Sequence, residues 1–147
     1  MNMDVTGEQE TSQAKAEEDR KATEKKRQDT ALLETYSNEK EIDQKRDRDL
    51  QVLDLQIEQL NTALKSASQR QADAKGRHEQ AAKGAKGAPA ALKDELDRAT
   101  ADKERFTRSI EAKQKEKDEL RARFAEFRRR YTELKSGVVQ PTSQAKK

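Results

Sequence analysis

One pattern limits what this chain can fold into more than any other: a 3.5-residue apolar repeat that begins at Leu92. Steps of four and three visit Leu92, Leu96, Ala99, Lys103, Phe106, Ile110, Lys113, Lys117, Leu120, Phe124, Phe127, Tyr131 and Leu134. Ten of these thirteen positions are apolar. The other three are lysines, whose methylene stems can lie along an apolar seam while the ammonium reaches water. A repeat of this period held for about six heptads predicts a coiled-coil helix.

The same rhythm runs through an upstream segment: Leu50, Leu53, Ile57, Leu60, Leu64, Ala67, Gln71, Ala74, His78 and Ala81. Its side chains thin from Leu and Ile to Ala towards Lys83-Gly84-Ala85-Lys86-Gly87-Ala88-Pro89. Gly84 or Gly87 can take the left-handed backbone conformation that ends a helix. Pro89 suits the first turn of the next helix, where a missing N–H costs nothing. Asp94, Glu95 and Asp97 are expected to complement the positive start of that helix. Two matched seams joined by a short turn predict an antiparallel hairpin. Folding at the turn sets Ala67 by Phe106, Leu64 by Ile110 and Leu50 by Phe124, with small facing large at the first pair. Each arm is expected to be about 65 Å long at 1.5 Å per residue. The fold class is therefore all-α: a long antiparallel coiled-coil hairpin with an additional N-terminal helical segment.

Composition agrees. Only 31% of the 147 residues are hydrophobic and 41% are charged, with three Phe, two Tyr and no Trp. Such a chain cannot fill a thick layered core, but it can bury a narrow stripe between helices. There is no cysteine, which removes disulfides and thiolate chemistry. No apolar run approaches the roughly 18 residues of a membrane span.

Residues 1–36 form a charged N-terminal segment, expected to be helical from about residue 8. A break is expected at Tyr36-Ser37-Asn38, where Asn38 and Glu41 have capping-box spacing. Residues 37–83 are the first arm, 84–89 the turn, 90–136 the second arm and 137–147 a flexible tail. Ser136-Gly137 is a helix stop, and Val138-Val139 a hydrophobic clasp beyond it. Leu32, Leu33, Tyr36 and Ile42 are expected to cluster with Phe124, Phe127 and Tyr131 at the hairpin's open end. Whether the N-terminal helix folds back there or projects away is left open by the sequence.

Candidate chemistry is sparse. His78 is the sole histidine and has no second His or Cys to complete a transition-metal site. The carboxylates sit among lysines and arginines and read as solvated helix-face pairs. A Gly84–Gly87 phosphate loop fails because no Gly-Lys-Ser/Thr follows. No catalytic residues, cofactor or metal are therefore expected, and the chain is read as a non-enzyme. Lys103, Lys113 and Lys117 interrupt the seam, either to set register or to mark where a third helix docks. Arg121, Arg123, Arg128, Arg129 and Arg130 are the densest basic region and the candidate anion contact. The C-terminal residues 84–147 carry 17 basic and 11 acidic groups, the charge such a contact needs.

The stretch Leu32-Leu33-Glu34-Thr35-Tyr36-Ser37-Asn38-Glu39, with Ile42 and Arg46-Asp47-Arg48-Asp49-Leu50, resembles a pattern in uncharacterised bacterial cell-envelope proteins that form a long helical hairpin. The turn from Gly84 to Ala91 is similar to theirs as well. This resemblance covers roughly residues 30–135 and implies a periplasmic or envelope-associated protein. Met1-Asn2-Met3-Asp4-Val5 lacks the regions of a signal peptide, so that location requires a removed leader; otherwise the protein is cytoplasmic. In size and architecture alone the chain is also similar to hairpin escorts of bacterial export machinery.

The expected function is that of a coiled-coil structural or adaptor protein that binds another protein or a second copy of itself. Phe124, Phe127, Tyr131 and Leu50 are the expected docking residues, and a homodimeric four-helix bundle is one expected assembly. Nucleic-acid association through the basic second arm is the weaker alternative.

Overall fold

The computed structural model describes residues 2–137, with side chains for residues 7–137. Over that span the chain is all-helical: α1 (Asn2–Thr35), α2 (Glu39–Ala82) and α3 (Ala90–Ser136). The tail expected beyond residue 137, with the Val138-Val139 clasp, lies outside the described residues. α1 starts at Asn2 rather than near residue 8. Gly7 lies inside it, and a glycine in a helix interior costs only about 1 kcal/mol, too little to stop the helix.

The breaks follow local chemistry. Tyr36 N–H still donates to Leu32 O (3.2 Å), closing the last turn of α1. Asn38 Oδ1 then accepts from Glu41 N–H (3.0 Å), while the Glu41 carboxylate accepts from the Ser37 N–H. This is a capping box whose return bond reaches one residue further back than usual. At the second break Gly84 N–H donates to Ala81 O, Gly87 N–H donates to Gly84 O, and Gly87 takes φ +70°. Gly137 takes φ +78° beyond the end of α3. Both positive angles are cheap only for glycine. One expectation fails: the first turn of α3 carries no acidic residue. Asp94 comes a turn too late to meet the helix dipole, and Glu95 is paired with Arg77 instead.

The described residues form two compact units, one from residues up to Lys45 together with those from Arg123, the other Arg46–Ala122. In the Arg46–Ala122 unit the core is narrow: Leu53, Ile57, Ala67, Ala74 and Ala99 are buried. Every other seam position of this unit, from Leu50 to Ala81 and from Leu92 to Leu120, is half-buried. Contacts between α2 and α3 join Asp54 to Lys117, Arg70 to Asp102, Gln71 to Thr100 and Lys103, and Arg77 to Glu95. Partners on α3 fall in number as those on α2 rise, which fits a hairpin. Two of the seam lysines reach across to α2: Lys103 Nζ donates to Gln71 Oε1 (3.2 Å), and Lys117 is paired with Asp54. Lys113 pairs with Glu116 on its own helix.

In the other unit Ile42, Leu32, Phe124, Tyr131 and Leu134 are buried, with Ile42 and Tyr131 the most completely enclosed. Leu33, Tyr36 and Phe127 are half-buried around them. α1 therefore joins this core through its last turns. No described helix is long and apolar enough to cross a membrane.

Candidate protein-docking groove

α1 is anchored by a charge pair. Arg130 on α3 grips Asp29 with two bonds, Nε to Oδ1 at 2.9 Å and Nη2 to Oδ2 at 2.8 Å. The side chains are 15% and 3% exposed, and Arg130 also reaches Glu133 at 3.3 Å. The bond to Asp29 is the main reason the guanidinium is held above its ordinary pKa, against the opposing effect of desolvation. A planar, two-point geometry fixes orientation as well as distance. One turn on, Leu32 enters the core.

Beside this pair lies a groove of about 620 Å³ between α1 and α3. Phe127 and Leu32 supply its apolar surface. Phe127 stands edge-on to Phe124, with centroids 5.4 Å apart and planes at 80°. That arrangement is favourable for aromatic quadrupoles and fixes the exposed ring face. The α3 wall is neutralised: Arg129 is shared between Glu126 and Glu133. Its bond to Glu126 leads the causes that lower that carboxyl below its ordinary value. On the α1 wall, Glu24 is engaged by Arg27 and Gln28. Lys21 and Lys25 have no ion pair among the described residues. The groove thus offers an apolar floor beneath two uncompensated ammonium groups, suited to an apolar side chain flanked by carboxylates.

The expected docking residues divide. Phe124 (5% exposed) and Tyr131 (1%) are buried in the core of this unit, so their surface is already used. Phe127 lines the groove. Leu50 is half-buried in the Arg46–Ala122 unit and is not part of the groove. The arginines are largely committed: Arg121 to Asp118, Arg128 to Asp43, Arg129 and Arg130 as above. Arg123 is exposed, with no ion pair among the described residues. His78 is half-buried, and the described residues hold no group of three or more His, Cys, Asp or Glu placed for a metal.

Sequence reasoning missed Asp29, Lys21 and Lys25. A signal for Asp29 existed, since Asp29, Leu32, Leu33 and Tyr36 follow the i, i+3, i+4, i+7 spacing of one helix face. An acid inside such a stripe needs a buried partner. No family model, curated protein or solved structure matches the chain.

Proposed function

We propose that this chain is a non-enzymatic coiled-coil adaptor. α2 and α3 pair as an antiparallel coiled coil, and the groove beside Phe127 receives a helix of a protein partner. The observation that carries this reading is Phe127, a half-buried aromatic ring on the floor of an open groove whose rim holds two uncompensated ammoniums. Hot spots of protein interfaces are built from such aromatic anchors in part-formed pockets. The coiled-coil pairing is supported by the 3.5-residue seam, whose described positions are all buried or half-buried. It is supported too by the order of the contacts between the two helices.

The test is affinity capture of the tagged chain from its own cells, cross-linked before lysis, with half the sample treated with nuclease. The parent is compared with Phe127→Ala and with Leu55→Ala, the latter altering an exposed apolar side chain outside the groove. Specific proteins recovered with the parent and the Leu55 variant but lost with the Phe127 variant support the adaptor reading. Circular dichroism confirms that both variants stay helical. Recovery indifferent to Phe127 overturns the groove as docking site. Ribosomal or chromosomal proteins that vanish with nuclease would favour nucleic-acid contact instead.

A further inference from the structure

From residue 7 to residue 25, α1 is a helix with almost nothing packed on it. Every side chain there is exposed except Glu17, which is half-buried. In proteins most of a helix's stability comes from packing one of its faces, and this stretch packs almost none. Its charges are segregated. Residues 8–19 carry five acids and one base, and residues 20–27 carry five bases and one acid. The helix dipole does not account for this, because it acts only within the first and last turns. Isolated helices gain from mixed charges at i, i+4, whereas Lys21 and Lys25 repel at that spacing.

Three charge pairs are antisymmetric about the Asp19–Arg20 step. Counting outward, Asp19 answers Arg20 and Glu18 answers Lys21. The exceptions match as well: Lys15 in the acidic block answers Glu24 in the basic block. At these positions the sequence is complementary to itself when reversed. Lys21, Glu24, Lys25 and Gln28, which line the groove, lie on one face, and that face continues back through Glu17, Glu18 and Ala14. Alanine there permits close approach.

We propose that the occupant of this face is a second copy of the chain. The α1 helices of two protomers pair antiparallel about a two-fold axis at Asp19–Arg20, the acidic block of each lying along the basic block of the other. A parallel pair would set like charges together. The contact is isologous, as closed dimers require. It rests on the protein-binding reading of the groove, since Lys21 and Lys25 belong to both, and it names the partner. The Glu17–Arg20 and Glu24–Arg27 pairs within α1 are exposed and weak enough to re-form across the interface.

Sedimentation of the full purified chain tests this. A dimer is expected that weakens about tenfold or more as salt rises from about 50 to 500 mM. Lys21→Glu with Lys25→Glu, and separately Glu17→Lys with Glu18→Lys, should each give monomers of unchanged helicity. Mixed in equal amounts, the two variants should return a dimer, since positions 18 and 21 of the two chains then face each other with opposite signs. A parent that stays monomeric at low salt overturns the proposal. So does a dimer whose affinity neither double variant changes, or a mixture that does not reassociate. A monomeric parent leaves the groove open to a different protein, which the Phe127 capture decides independently.

Discussion

Removal of Arg130 is the most informative single perturbation, because its guanidinium makes the two-point bond from α3 to α1. Arg130→Ala deletes two charge-assisted bonds to a carboxylate that is 3% exposed. Breaking a buried pair by removing one partner typically costs 3–5 kcal/mol, and the 15% exposure of Arg130 places this case at the lower end, about 3 kcal/mol. If that loss is local to α1, its packed turns open about a hundredfold more often, since each 1.4 kcal/mol is tenfold. Hydrogen exchange reads this directly: amides of residues 26–35 should lose about two orders of magnitude of protection, while those of Ala67 and Ala74 are unmoved. Asp29→Ala should cost less, about 1.5 kcal/mol, because Arg130 keeps Glu133 and a path to water. Replacing both residues with leucine should recover most of the loss, since an apolar pair needs no compensation. Protection that changes less than about threefold in Arg130→Ala would refute the claim that this pair anchors α1.

Three further outcomes follow from the same physics. Asn38→Ala should lower stability by about 1 kcal/mol in urea titration, the usual loss of a helix N-cap, and an unchanged midpoint would mean that Asn38 Oδ1 does not cap α2. Ala67→Leu or Ala74→Leu should destabilise by about 1–3 kcal/mol, because both alanines are fully buried in a thin seam; stabilisation would show that the helices can move apart there. Tyr131→Phe should be neutral or stabilising by up to about 1 kcal/mol, since the buried Tyr131 hydroxyl has no hydrogen-bond partner among the described residues; a thermal-melt loss of more than that would show that it has one.

Much of the architecture is written locally and could be read before any coordinates. The 3.5-residue period names the inward face of each arm, and all seam positions from Leu50 to Ala81 and from Leu92 to Leu134 are buried or half-buried. Asn38 and Glu41 mark the first break, and Gly87 and Gly137 mark turns that only a residue without Cβ adopts cheaply. These features depend on residues at most a few positions apart, so one sequence window holds all the physics. What only the tertiary structure decided depends on partners far away in sequence. Ile42, one residue off the seam, is fully buried, while Asp43 beside it is paired with Arg128. Lys117, which reads as a flaw in the seam, is answered by Asp54. Phe124 and Tyr131 read like Phe127 in the repeat, yet packing buries the first two and leaves the third on an open groove. Asp29 and Arg130 stand 101 residues apart. Periodicity tells which side of a helix is turned inward, but it carries no information on which distant charge will neutralise a buried one, because that is fixed only when the helices dock.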